Sequence, residues 1–158
     1  MKKYQIRKLD KKNVTSCYTM IIEEENFNKY KNYNGWSIDN IYESINKIEY
    51  LCFGLFKNKI LIGFIISKYI KNEDFSEIEI LLILVKKKFR RKGIGKTLID
   101  YTQNYVKISN MYIEFSNLNI VAKRFYKSYG FDSISKRKGY YILKNGTKED
   151  AEIYKFNL

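Results

Sequence analysis

The stretch from residue 78 to residue 105 constrains this chain more than any other. It opens on an unbroken apolar run, Ile80-Leu81-Leu82-Ile83-Leu84-Val85, which reads as a strand buried on both sides. A basic turn follows, Lys86-Lys87-Lys88-Phe89-Arg90-Arg91-Lys92-Gly93-Ile94-Gly95-Lys96. Beyond it Ile94, Leu98, Tyr101 and Tyr105 recur at spacings that share one face of a helix. A buried strand, a turn rich in Gly and cations, and a helix start together form an anion-binding construction. The first turn of a helix carries unpaired N–H groups and a partial positive charge. Glycine lets a phosphate approach that backbone, and Arg and Lys add charge around it.

Three phosphate-binding templates can be tested against the turn. A P-loop, G-x-x-x-x-G-K-[ST], finds its end in Gly95-Lys96-Thr97 but needs Gly where Arg90 stands. A dinucleotide fingerprint starting at Gly93 needs Gly at Leu98. The third template, R/Q-x-x-G-x-G/A after a long apolar strand, fits Arg90-Arg91-Lys92-Gly93-Ile94-Gly95 without a gap. The alternative for so short a motif is a solvated turn between strand and helix.

The remaining sequence narrows the chemistry. The 158 residues suit one domain spanning the whole chain, and the composition is globular, rich in Lys, Asn, Ile and Tyr. The formal net charge of +13 suits an acidic partner such as RNA or a ribosomal particle, but Lys far outnumbers Arg and is scattered. A Lys-, Asn- and Ile-biased composition gives the same excess. With no aromatic-studded basic stripe, direct nucleic-acid binding is not expected. The absence of His excludes Ser-His and Cys-His nucleophile pairs and every His-ligated metal. Cys17 and Cys52 lie far apart and lack zinc spacing, so no metal is expected and a reduced, cytoplasmic setting is. Neither a signal core nor a membrane-spanning run is present.

The elements follow in order. Residues 4–7 alternate as a first strand, and Val14, Tyr18, Ile21 and Ile22 mark the apolar side of a helix. Residues 26–35 read as a loop. Ser37 caps a second helix with Asp39 in its first turn and Ile41, Ile45 and Ile48 on its inner side. Residues 50–56 and 60–69 form a hairpin through Asn58-Lys59. After the central strand and helix come a strand over 111–115, a helix capped by Asn119 and stopped by Gly130, and strands within 131–143 and 151–156 around an Asn145-Gly146 turn. The order β-α-α-β-β-β-α-β-α-β-β predicts an α/β (α+β) chain with one mixed sheet and helices on both faces.

The loop Arg90-Arg91-Lys92-Gly93-Ile94-Gly95 resembles the pyrophosphate loop of the GNAT superfamily of acetyl-CoA-dependent N-acetyltransferases. A second segment, Asn119-x-x-Ala122-x-x-Phe125-Tyr126-x-x-Tyr129-Gly130-Phe131, resembles the N-x-x-A-x-x-[LF]-Y-x-x-x-G-F stretch of the same fold, in the right order and at the right distance. Trp36-Ser37, Lys136-Arg137-Lys138-Gly139-Tyr140-Tyr141 and Glu149-Asp150-Ala151 are similar to segments of bacterial ribosomal-protein-alanine N-acetyltransferases and related N-terminal acetyltransferases. The resemblance covers nearly the whole chain and implies the GNAT acyl-CoA N-acyltransferase fold, with a mostly antiparallel twisted sheet.

The resemblance also implies roles. Acetyl-CoA is the expected cosubstrate. Backbone groups of Ile83, Leu84 and Val85 would hold its pantetheine arm, and Arg91, Lys92, Gly93, Ile94, Gly95 and Lys96, with Arg90 at the entrance, its diphosphate. Asn119 matches a cofactor-contacting Asn, or is a plain helix cap. Glu114 matches a proton acceptor and Tyr126 a donor to the leaving sulfur; the alternatives are a solvent-facing strand Glu and a core aromatic. Trp36, Tyr140 and Tyr141 are candidates for an acceptor groove, with core packing as their other reading. The expected acceptor is a protein N-terminus, such as that of a ribosomal protein, or a small amine such as a polyamine or aminoglycoside. A non-catalytic acetyl-CoA-binding domain is the reading from another class. An α-amino group has a pKa near 8, so roughly a tenth is neutral at pH 7, against about a thousandth or less for Lys. A protein N-terminus therefore needs less help to react. Two departures stand out: Lys86-Lys87 replaces the Asp-Pro common after the strand, and Phe115, Ser116 and Leu118 replace the Val-Arg and Ser that often follow the Glu. The missing Arg bears on which acceptor is acetylated. Oligomeric state is left open.

Overall fold

The computed structural model describes residues 4–24, 29–30 and 36–158. The loop expected over residues 26–35 therefore lies mostly outside the described residues.

Among the described residues seven strands form one sheet: β1 (Tyr4–Lys8), β2 (Tyr50–Lys57), β3 (Ile60–Lys71), β4 (Ser76–Val85), β5 (Asn110–Ser116), β6 (Asp132–Ile142) and β7 (Lys148–Asn157). Their spatial order is β1-β2-β3-β4-β5-β7-β6. Every pairing is antiparallel except β4 with β5. Among the described residues four helices, α1 (Val14–Ile22), α2 (Ile38–Asn46), α3 (Ile94–Tyr105) and α4 (Ile120–Tyr129), cover the sheet. The element order and the mixed sheet agree with the sequence reading.

Local chemistry accounts for the boundaries. Asn58 and Lys59 take φ of 49° and 68°, the doubly left-handed two-residue turn whose twist matches a hairpin. Ser37 Oγ accepts from Asn40 N–H at 3.1 Å while Asn40 Oδ1 accepts from Ser37 N–H, a reciprocal cap that starts α2. Asn119 Oδ1 accepts from Ala122 N–H at 3.1 Å and starts α4. Gly130 ends α4 with φ 118°, and Phe131 N–H returns to Tyr126 O at 3.0 Å.

Two apolar clusters lie on the two sides of the sheet. One gathers Phe53, Ile78, Ile80, Met111, Ile113 and Phe115 under Leu98, Ile99 and Tyr126 of α3 and α4. The other joins Cys52, Phe64, Leu82 and Leu84 to Val14, Cys17, Met20, Ile21, Ile41 and Ile45 of α1 and α2. Helices therefore do cover both faces, but three expected core positions are corrected. Ile22 is exposed, its place in the core being taken by Cys17 and Met20, which share the inner stripe of α1 with Val14 and Ile21. Ile48 is 96% exposed, because α2 ends at Asn46 and the extended Lys47 breaks the helical period. Tyr105 is half exposed, its ring lying 4.8 Å from that of Phe53.

The central strand also departs from the expected continuous burial: Leu81, Ile83 and Val85 are only partly buried. The register explains this. Ile66 faces Leu82 while Ser67 faces Ile80, so Leu81 is an extra residue, a β-bulge. The bulge exchanges the faces: Ile78 and Ile80 join the α3 side, whereas Leu82 and Leu84 join the α1 side. Ile83 and Val85 consequently turn toward α3.

Candidate active site

The bulge sits where β4 leaves its parallel neighbour. Rungs join Glu77, Ile78, Glu79 and Ile80 to Asn110, Met111, Tyr112 and Ile113, and there the ladder stops. Residues 81–85 of β4 and 114–116 of β5 continue without pairing to each other, while β5 remains joined to β7 through Ser116. The parting leaves the β5-facing edge of residues 81–85 of β4, the stretch with Ile83, Leu84 and Val85, without a strand partner; apart from the Val85 carbonyl, which Arg90 occupies, main-chain groups on that edge are open to an extended ligand.

At the end of β4 the chain turns through Lys87–Phe89 into the loop ahead of α3. Arg91 has φ 61° and Gly93 φ 76°, so the loop uses two left-handed residues in three. The helical ladder begins with Thr97 N–H on Gly93 O at 2.9 Å, and the N–H groups of Ile94, Gly95 and Lys96 therefore lack intrahelical acceptors. No atom lies within 4 Å of where a Cβ on Gly93 would sit. Open space, free donors and the positive end of the helix dipole fit a diphosphate. Gly95 has another reason: a Cβ there would come 3.0 Å from Phe125 Cζ, so its smallness lets α3 approach α4.

The basic side chains divide. Arg90 is exposed but tethered: its Nε donates to Val85 O at 2.9 Å and its Nη2 pairs with the buried carboxylate of Glu24. Lys96 pairs with Asp100 at 2.7 Å, one helical turn along. Arg90 thus ties the loop to the end of β4 and to the segment after α1, and Lys96 offers the loop its backbone N–H. Arg91 and Lys92 are exposed, and the Lys57, Lys88 and Lys92 ammonium groups lie 5.0, 5.3 and 5.6 Å from the Phe89 ring centre.

Glu114 lies on the α1 side of β5, opposite to Phe115, and opens into a groove of about 210 Å³ with Ile70, Glu79, Tyr112 and Arg137. Burial raises its pKa above the ordinary carboxylate value; the Arg137 guanidinium, with Nε 3.2 Å from Oε2, pulls the other way, and Glu79 adds to the rise. Tyr126 lies on the α3 side, buried, with its ring stacked on Phe115 at 5.4 Å between centres. Burial raises its phenol pKa, so the hydroxyl keeps its proton at neutral pH.

Tyr140 and Tyr141 are not among the residues lining this groove, and their surroundings differ. Tyr140 is 41% exposed beside Arg137, whereas Tyr141 is buried against the Tyr30 ring at 4.9 Å. Trp36 is not brought to Glu114; it lines a separate hollow with Asn40, Ser44 and Tyr50. Asn119 spends its side-chain oxygen on the α4 cap.

Sequence reasoning missed two features. One is Arg137, which reaches Glu114 from β6; it was visible only as part of the Lys136-to-Tyr141 segment. The other is a buried knot around Glu149, whose carboxylate accepts from the Tyr30 hydroxyl at 2.6 Å and from the Ser116 hydroxyl, with Lys29 Nζ at 3.4 Å. Burial alone would raise the Glu149 pKa, but these hydrogen bonds and the ammonium outweigh it and lower it. No group of three or more His, Cys, Asp or Glu side chains suited to a metal occurs among the described residues, and no described helix is long and apolar enough to cross a membrane.

Known proteins resemble this chain in sequence and in fold. The chain is 31% identical over 80 residues to the [ribosomal protein bS18]-alanine N-acetyltransferase of Haemophilus ducreyi, covering 49% of this chain and 55% of that one. It is 35% identical over 102 residues to N-alpha-acetyltransferase 30 of Dictyostelium discoideum, covering 63% and 55%. It thus spans about half the length of these curated relatives. Among solved structures, the ribosomal-protein-alanine N-acetyltransferase of Escherichia coli superposes with a TM-score of 0.77 at 23% identity, covering 98% of this chain and 94% of that one. Arabidopsis thaliana NAA60 in complex with acetyl-CoA gives 0.82 at 16%, covering 99% of each. These structural likenesses concern the fold. Residues 11–140 match the acetyltransferase (GNAT) domain, and the chain belongs to that family.

Proposed function

We propose that this chain transfers the acetyl group of acetyl-CoA to an amine, the N-terminal α-amino group of a protein, in the manner of the ribosomal-protein-alanine N-acetyltransferases it resembles. The observation that carries the reading is the parting of β4 from β5 between an anion-binding helix start and Glu114. Residues 91–96 would hold the diphosphate, and residues 83–85 the pantetheine arm beside them. The acetyl thioester supplies the activated carbonyl.

Glu114 accepts the proton lost by the amine as nitrogen bonds to the carbonyl carbon. Tyr126 gives its hydroxyl proton to sulfur as the carbon–sulfur bond breaks. Burial makes the Glu114 carboxylate more basic, which suits a proton acceptor; it keeps the Tyr126 phenol protonated but makes it a weaker acid. Two relatives bear names for acetylating protein N-termini, which supports an α-amine acceptor.

A second reading, a small cationic amine, is favoured by the two carboxylates Glu79 and Glu114 in one groove. Thiol release measured over peptide N-termini and small amines tests both. The proposal expects peptides to be acetylated. Acetylation of polyamines or aminoglycosides alone would move the assignment to the second reading. Binding of acetyl-CoA with no thiol release across the panel would leave a non-catalytic domain.

A further inference from the structure

Arg137 stands in the way of the reaction just described. Its Nε bonds the Glu114 carboxylate, and its guanidinium carbon lies 5.2 Å from the Tyr140 ring centre. The position is built. Between Arg137 and Tyr141 strand β6 advances four residues while β7 advances two, from Ala151 to Glu149. The resulting bulge is tied by the Gly139 N–H, which donates to Asp150 Oδ1 at 2.8 Å. Among the described residues lining the groove, Arg137 is the cation set against the carboxylates of Glu79 and Glu114.

An amine delivering its proton to Glu114 has to displace this guanidinium. An acceptor bearing only positive charge would bring like charge against Arg137 and offer it nothing in exchange. An acceptor carrying a carboxylate beside its amine resolves both demands. We propose that Arg137 is a specificity-determining residue that selects acceptors with an acidic second residue: the acceptor's amine takes the place of Arg137 on Glu114, and its carboxylate takes the place of Glu114 on Arg137. The exchange rests on Glu114 being the base. Extended chain advances about 3.3–3.6 Å per residue, so a carboxylate on the second residue lies within reach of a guanidinium that already touches the base. The planar fork of Arg suits a carboxylate better than the point charge of Lys does. Arg137 also supplies, from another strand, a cation near the place where the segment after Glu114 lacks its Arg.

The test uses three peptides beginning Ala-Glu, Ala-Gln and Ala-Lys, otherwise identical, with the whole chain and its Arg137→Gln and Arg137→Lys variants. Thiol release yields kcat/KM, and displacement of a labelled peptide in the presence of coenzyme A yields affinity. The native chain is expected to prefer Ala-Glu over Ala-Gln by about tenfold, with Ala-Lys poorest, and the preference should shrink as salt is added. Arg137→Gln should reduce the Glu:Gln ratio to within twofold, and Arg137→Lys should keep part of it. Acetylation of all three peptides at equal efficiency, or a ratio unchanged in Arg137→Gln, would overturn the exchange while leaving the acetyltransferase reading intact. Peptides neither bound nor acetylated, with small amines turned over, would overturn both. A preference for Ala-Glu in affinity that Arg137→Gln removes, without turnover of any peptide, would support Arg137 as the selector and remove only the catalytic reading.

Discussion

Glu114 and Tyr126 lie on opposite faces of the sheet. Phe115, the residue after Glu114, stacks on the Tyr126 ring, and strand alternation sends the Glu114 carboxylate the other way into the groove. Two groups so placed act on one bond only where the sheet has a gap, and the gap is where β4 parts from β5. A thioester lying in it would present its carbonyl to one face and its sulfur to the other.

Replacing Glu114 with Gln should lower kcat/KM for an α-amine acceptor by about 10²–10⁴-fold. If Glu114 is the base it works only when ionised, and its pKa is raised, so native activity should fall as pH drops through a midpoint above the ordinary value of 4.5. Glu114→Gln should lack that limb in a pH–rate profile. A carboxyl whose folded pKa is raised costs stability above that pKa, so the variant should melt no lower than the native chain at neutral pH.

For Tyr126→Phe the ring stack on Phe115 survives and only the hydroxyl is lost. Turnover should drop while the Kd for acetyl-CoA, measured by titration calorimetry, stays within about twofold. An unchanged kcat would remove Tyr126 from the mechanism.

The two loop glycines should respond differently to Ala. At Gly93 the cost is conformational, about 1–2 kcal/mol for φ of 76°, with no clash, and it should appear mainly as weaker acetyl-CoA binding. At Gly95 the new methyl presses on Phe125, so a lowered melting temperature should accompany any loss of affinity.

Arg90 and Glu24 should behave as one unit. Arg90→Met leaves the Glu24 carboxylate buried without its guanidinium, and should cost more stability than the double variant Arg90→Met/Glu24→Gln. A double-mutant cycle in urea should give coupling of about 1 kcal/mol or more. Additive effects would show that the pair does not tie the loop.

Acid should loosen the knot at Glu149. Its folded pKa is lowered, so the stability it contributes is present above the ordinary value of 4.5 and is lost as pH falls through the lower folded value. Glu152, also lowered, is held by Lys123 at 2.9 Å and adds to the same loss. Glu149→Gln should melt lower at pH 7, and the gap to the native chain should narrow below pH 4.5 and close as pH falls through the lower folded value.

Local signals in the sequence were enough to determine the element order, the Ser37 and Asn119 caps, the Asn58-Lys59 turn and the Gly130 stop after α4. Each depends on neighbours a few residues apart, whose preferences are set by sterics and by unpaired backbone donors. Tertiary structure alone decided the rest. The Leu81 bulge, the end of the β4–β5 ladder, the turning of Arg90 to Glu24 and the arrival of Arg137 at Glu114 all join residues distant in sequence. No periodicity along the chain encodes which charge will meet which across a sheet. That choice is made by register and packing, through charges brought together only once the strands are in place.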